Sequence, residues 1–250
     1  MMNPELYTAI FKRKSIRKYD MTPLPQERIE ELLAFSERTV RLDESIRLEF
    51  AVLSGDKING MFSIKAPHYL CLYSEKKEGY LINSGFTLQQ MDLFLSANNI
   101  GVCWLGGAKP GRDTLASKNG LDFVIMLAFG NVNEPLHREN TSEFKRNSLQ
   151  EITSIQEAGQ LLEPVRLAPS ARNTQTWFFS GALKEIIVSR KKMNFIKDRL
   201  FGRLSTIDTG IALCHLILSA EQQGKSAVID FSGGNVPEGH EFAAKVRLGE

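Results

Sequence analysis

The sequence predicts an α+β fold in which helices carry more of the chain than strands. Apolar residues at helical spacing alternate with short, strand-like apolar runs along all 250 residues. The composition, 42% apolar and 24% charged, is that of an ordinary soluble globular chain. The second half of the chain also echoes the first, weakly but in order, so the fold is expected to be built from two related parts.

In chain order, PELYTAIFKRKS places Leu6, Tyr7, Ile10 and Phe11 at helical spacing and ends in the basic cluster KRKSIRK. QERIEELLAFSE reads as a second amphipathic helix with Ile29, Leu32, Leu33 and Phe35 on its apolar side. RLEFAVLSG and HYLCLYSE read as strands. Residues 83–99 predict a long helix buried over a wide face, followed by the short buried segment GVCWLGG and its glycine loop. GRDTLASKNG predicts a further helix, and LDFVIMLAFGN is the most apolar strand. NVNEPLHRENTSEFKRNS is a polar connector.

The repeat sets VRLDESIRLEFAVLSG (40–55) against VRLAPSARNTQTWFFSG (165–181). It sets Ile82–Gly101 against Ile207–Gly224, each with an early glycine and a Leu-Ser-Ala triplet. FVIMLAFG (123–130) matches FAAKVRLG (242–249), and KRKSIR (12–17) echoes KRNSLQ (145–150). One reading is a duplicated domain whose parts pack like two subunits. The other is chance similarity between helix–strand units of like composition. The second copy is trimmed, since Gly234 to Phe242 leaves no room for a helix.

Several chemistries are excluded or disfavoured. A formal net charge of +2 supplies no field for nucleic acid or a membrane surface. The longest apolar runs are too short to span a bilayer, and MMNPELYTAIFKRKS lacks the pattern of a signal peptide, so the cytoplasm is expected. Cys71, Cys103 and Cys214 are odd in number and widely spaced, which predicts reduced thiols rather than a disulfide frame or zinc site. EQQGKSA lacks the first glycine of a P-loop, no Gly-x-Gly-x-x-Gly or Gly-x-Ser-x-Gly occurs, and His68, His137, His215 and His240 are scattered.

RKSIRKY (13–19), CWLGG (103–107) and APSARNTQTW (168–177) resemble motifs of the nitroreductase family of FMN-dependent oxidoreductases. In ordinary members the Pro-Ser-x-x-Asn-x-Gln-Pro-Trp loop follows the first two helices of a chain that dimerises. Here the first half has DESIRLEF instead, and the second half carries the loop. That order resembles the internally duplicated branch of the family, with one chain acting as a pseudo-dimer of parts 1–147 and 148–250. The implied chain is a monomer or weak homo-oligomer with one complete FMN site. The implied activity passes electrons from NADH or NADPH through FMN to a nitroaromatic, quinone or similar flat acceptor. Nucleic acid and membranes are not expected as partners. The trimmed second part and Thr176, in place of the family proline, motivate a rival expectation: a flavin-binding or flavin-free scaffold without turnover.

By this resemblance Arg13, Lys14, Ser15 and Arg17 contact the phosphate and ribityl chain. In an extended segment, Arg13, Ser15 and Arg17 share one face, and arginine can grip phosphate with paired hydrogen bonds. The alternative is a solvated basic helix end. Lys145 and Arg146 match the family's closing basic pair, and are equally readable as a repeat relic or a solvated linker. Leu105, Gly106 and Gly107 are implied to face the flavin ring, where glycine lets backbone approach a flat ligand; the alternative is a helix-end turn. Pro169, Ser170, Ala171, Arg172 and Asn173 form the flavin-facing loop, with Arg172 near the ring edge or the phosphate; otherwise they form an Asx/Ser turn before a strand. Asn59 lies where the family places an asparagine against the pyrimidine, with Lys57 or Lys65 as its companion. No residue is implied as a catalytic acid or base, because the cofactor carries that chemistry.

Overall fold

The computed structural model describes residues 2–59, 64–111 and 117–249, apart from the side chains of Asp56 and Asn59. The elements run α1 (Glu5–Ile10), α2 (Gln26–Ser36), β1 (Leu48–Ser54), β2 (Ile58–Asn59), β3 (His68–Ser74), α3 (Tyr80–Ala97), β4 (Gly101–Leu105), β5 (Lys109–Pro110), β6 (Ser117–Lys118) and β7 (Leu121–Gly130). They continue with α4 (Leu149–Ile152), α5 (Gly159–Arg166), β8 (Trp177–Ala182), β9 (Glu185–Lys191), α6 (Phe195–Lys197), α7 (Arg203–Gln222), β10 (Ser226–Asp230) and β11 (His240–Gly249). A π-helical turn, Asp198–Gly202, joins α6 to α7.

Among the described residues, two larger antiparallel sheets form, beside a two-stranded pair of β2 and β5. The first has the order β1-β3-β7-β4, with β6 also on β7; the second has β8-β9-β11-β10. Leaving β6 aside, both sheets order their strands first, second, fourth, third along the chain. Half of the stretch GRDTLASKNG expected as a helix, residues 112–116, lies outside the described residues. Its described end, Ser117–Lys118, is instead a strand. Asn119 and Gly120 both adopt left-handed φ there, the tight Asn-Gly hairpin turn that folds β6 back on β7.

Helix α2 buries Ile29, Leu32 and Phe35 along one stripe, as its sequence spacing requires. Helices α3 and α7 differ. They are buried all round, beyond the wide face expected for residues 83–99, because each packs against the other as well as its surroundings. The run Phe195–Gln222 is long and apolar enough to cross a membrane, yet 72% of its most apolar stretch is buried inside the protein, as in a core helix.

Glycines set the α3–α7 contact. A Cβ on Gly85 would lie 2.0 Å from the Ile207 carbonyl oxygen, and one on Gly210 would lie 2.1 Å from that of Ile82. Only glycine permits backbones this close, and the two contacts are reciprocal. Many of the helices' polar residues are buried, and although Thr87 Oγ1 has no partner among the described residues, those around Gln89 are hydrogen-bonded. Gln89 donates to Asp92 (3.1 Å) and to His215 Nε2 (3.0 Å), and accepts from Trp104 Nε1 (3.2 Å). His215 Nδ1 donates to the Pro164 carbonyl (2.8 Å), and burial lowers its pKa to about 3, so the ring is neutral.

Candidate functional site

The expected loop at residues 169–173 is strained. Arg172, Asn173 and Gln175 all have positive φ (55°, 58° and 43°), a conformation that costs non-glycine residues energy and persists only where the surroundings impose it. Four sets of contacts impose it here. The Ala171 N–H donates to both Asp208 oxygens (3.1 and 3.0 Å). The Gln175 N–H donates to Ser170 Oγ (3.0 Å). Gln175 Oε1 accepts from the Asn147 N–H (2.8 Å) while its Nε2 donates to the Arg166 carbonyl (2.9 Å). Asn173 Nδ2 donates to the Lys145 carbonyl (2.6 Å), and Arg146 donates to Asn173 Oδ1 and the Ala168 carbonyl. The connector at 145–147 thus clamps the loop from behind.

This loop closes one side of a cavity of about 480 Å³, within the range of about 300–1,000 Å³ usual for small-molecule sites. Ser15 and Arg17 line one wall, and Gly106 and Gly107 another. Pro169, Ser170, Ala171 and Arg172 line it as well. Helix α7 adds Leu204, Ile207 and Asp208. A Cβ added at Gly107 would meet nothing within 4 Å, so the backbone there fronts open space. Segments separated by some 60 to 150 residues are therefore gathered at one site.

The remaining expected residues fall elsewhere. Arg13 is 1% exposed, and its Nε lies 3.0 Å from Asp92 Oδ2 on α3, which is fully buried. It also donates to Ser15 Oγ (3.3 Å), so it underpins the cavity wall without lining it. Lys14 turns away, donating to the Pro135 carbonyl (2.6 Å). Leu105 is buried in a smaller apolar cluster with Cys103 and Met126. The backbone of Asn59 pairs with Lys109, and its side chain lies outside the described residues. Lys57 sits in a 3-10 turn and Lys65 is exposed before β3. All three cysteines are free and buried, with pKa values raised first by burial.

Sequence reasoning missed two contributors. Arg138, in the polar connector, donates to the Arg13 carbonyl and stacks over Phe144, its guanidinium carbon 4.0 Å from the ring centroid. Together with Arg13 and Arg146 it makes a cationic cluster. Burial first, then Arg13, Arg138 and Arg166, depress the pKa of Arg146 to about 10. Nothing in an isolated connector arginine signals such a cluster. Asp208 is the second. Its carboxyl is pushed up to about 8 by burial, against the opposing pull of the Ala171 N–H. The repeat pairs it with Asn83, and that alignment was the available signal.

The lining suits a ligand with both an anionic and a flat, apolar part. The lining combines cations and hydroxyls (Arg17, Arg172, Ser15, Ser170) with exposed glycine backbone and the apolar side chains of Leu204 and Ile207. Among the described residues no group of acids, histidines and cysteines could hold a metal ion.

Residues 5–220 match a family model described as "Putative TM nitroreductase". The chain is also similar to a crystal structure of a "putative nitroreductase" from Thermotoga maritima, with a TM-score of 0.65 at 22% identity, over 97% of this chain and 92% of that one. A nitroreductase family protein from Clostridium difficile gives a TM-score of 0.47 at 17% identity, over 60% and 96% of the two chains. An FMN-dependent nitroreductase from the same species gives 0.43 at 17% identity, over 57% and 94%. No curated protein matches.

Proposed function

Because the chain belongs to the nitroreductase family, we propose that it is an FMN-dependent oxidoreductase. It would take electrons from NADH or NADPH and pass them to a nitroaromatic, quinone or similar flat acceptor. The observation that carries this reading is the convergence of Ser15–Arg17, Gly106–Gly107 and Pro169–Arg172 on one cavity.

The residues present fit FMN. Its phosphate carries a charge of about −1.5 to −2. Arg17 and Ser15 would hold that group, in the field of the Arg13, Arg138 and Arg146 cluster. Gly106 and Gly107 would give the ring close backbone approach, with Leu204 and Ile207 covering apolar area. The strained loop, braced by Asp208 and Arg146, would hold Pro169 to Arg172 against the ring in a fixed position. When bound, FMN supplies hydride acceptance and onward electron transfer.

The reading includes a tandem-duplicated chain of parts 1–147 and 148–250 packed as a pseudo-dimer. Its support is the shared strand order of the two sheets and the reciprocal Gly85–Ile207 and Gly210–Ile82 contacts.

Purification tests the function. The protein is expected to be yellow, and NADH or NADPH is expected to bleach its flavin absorbance under anaerobic conditions. A colourless protein whose melting FMN does not shift would remove the flavin reading. A yellow protein that neither donor reduces would leave binding without turnover.

A further inference from the structure

A second cavity, of about 530 Å³, shares Ala171, Arg172, Phe201 and Asp208 with the first. The partition is thin: Arg172 stacks over Phe201, its guanidinium carbon 5.1 Å from the ring centroid. The far walls come from the end of β9, the residue after it and α6, which contribute Lys191, Lys192 and Lys197. Backbone bonds fix this rim, with the Lys191 N–H donating to the Thr176 carbonyl (2.9 Å) and the Lys192 N–H to the Gly239 carbonyl (2.8 Å). The floor is hydroxylic, where Thr176 and Ser205 share a 2.6 Å hydrogen bond.

The charge on these walls is one-sided. Among the described residues, neither Arg172 nor any of the three lysines forms an ion pair with a carboxylate. Lys191 acts on Glu151 only through space. The one carboxyl on the lining is Asp208, which already accepts the Ala171 N–H. A concave wall with four cations and one occupied carboxyl concentrates anions.

We propose that this second cavity binds the phosphate-bearing half of the dinucleotide electron donor. The shared partition would direct the donor's dihydronicotinamide end into the flavin cavity. The inference rests on the flavin reading for its function, but the anion site stands on its own geometry. Lysine ammonium groups bind phosphate as point charges without fixed geometry, which suits a flexible pyrophosphate.

The test uses the flavin-loaded protein and the exposed pair Lys192→Ala/Lys197→Ala. Adenosine diphosphate, titrated calorimetrically, is the probe for the anionic half. Wild-type protein is expected to bind it, less tightly as salt rises, and the double variant about tenfold more weakly. In turnover, the variant's KM for the dinucleotide should rise by a similar factor with kcat held. Its rate with 1-benzyl-1,4-dihydronicotinamide, a donor without phosphate, should not change.

The proposal is overturned if adenosine diphosphate does not bind wild type, or if the variant retains its affinity. Equal slowing with the phosphate-free donor also overturns it, because the lysines would then be supporting the flavin or the fold. If inorganic phosphate alone competes as strongly as adenosine diphosphate, the cavity is a simple phosphate site and the dinucleotide assignment fails. A protein that holds no flavin fails the enzyme reading, and the calorimetric titration still decides the cavity. Lys192→Gln/Lys197→Gln checks that the effect follows charge rather than loss of side-chain bulk.

Discussion

The flavin-side cavity has a counterpart related to it by the repeat, and the two differ in the residues that line them. The first, about 480 Å³, is walled by Ile207 and Asp208; the second, about 580 Å³, by Ile82 and Asn83. Each pair sits at the same place relative to its helix-contact glycine, Gly210 or Gly85. Asp208 anchors the loop before β8 through the Ala171 N–H. Asn83 anchors the segment before β1, accepting from the Leu42 N–H (2.8 Å) and donating to the Asp43 carbonyl (3.2 Å). The scaffolding is the same and the loops differ. Residues 40–54 contain no left-handed residue, and their cavity mixes Asp43 and Glu78 with Lys77. Residues 169–175 hold Arg172, Asn173 and Gln175 at positive φ, and Pro169 to Arg172 line a cavity together with Arg17, near an arginine cluster. On the proposed reading, the helix pair builds the space, and the loop and its cations decide whether that space binds.

The comparison can be broken first at its shared base. Gly85→Val and Gly210→Val each drive a side chain into a carbonyl 2.0–2.1 Å away on the other helix. Each should cost about 3 kcal/mol or more, read by thermal or denaturant unfolding. If the two helices are equivalent, the two losses should be of similar size. Asp92→Ala leaves Arg13 buried without its partner, for an expected loss of about 3–5 kcal/mol by denaturant unfolding.

The anchors Asp208 and Asn83 offer a smaller and more specific contrast. Asp208 in the folded state keeps its proton up to about 8, against 3.8 for an ordinary Asp. Between those values the unfolded chain has released a proton that the folded chain still holds. Stability should therefore fall as pH rises across that window. Asp208→Asn should abolish the fall in flavin-free protein, and Asn83→Asp should steepen it by placing a second carboxyl in an equally buried position. Melting temperature followed against pH checks both. The smallest structural effect is expected from Arg17→Ala, which is exposed and should leave the melting of flavin-free protein unchanged while weakening FMN binding about tenfold or more.

How far this was legible in the sequence follows from what kind of signal each feature leaves. The strands around Phe50, Leu70 and Ile125 and the long helices announce themselves through apolar runs, and the loop at 169–173 through its motif. Ser15 and Arg17 reach the cavity as expected for alternate residues of an extended segment. Arg13 obeys a different constraint. Its partner Asp92 lies 79 residues away, and only the folded packing of α3 reveals that the cation is drawn inward. Lys14 is likewise captured by a carbonyl of the connector. The helix expected near residue 117 gives way to a strand because the Asn119–Gly120 turn and the open edge of β7 outweigh local helix propensity. Arg138 was invisible because a cation in a polar connector looks the same whether solvated or folded back onto a site.

On the proposed reading, the cavity lined by Ser15 and Arg17, and not its counterpart, holds FMN. The direct measurement is the flavin content of protein saturated with FMN and freed of excess, taken from flavin absorbance and protein concentration, for wild type and for Ser15→Ala/Arg17→Ala. The account predicts one FMN per chain in the wild type and substantially less in the variant at the same FMN concentration. Two per chain, none, or a variant that keeps the full complement with unaltered affinity would contradict it.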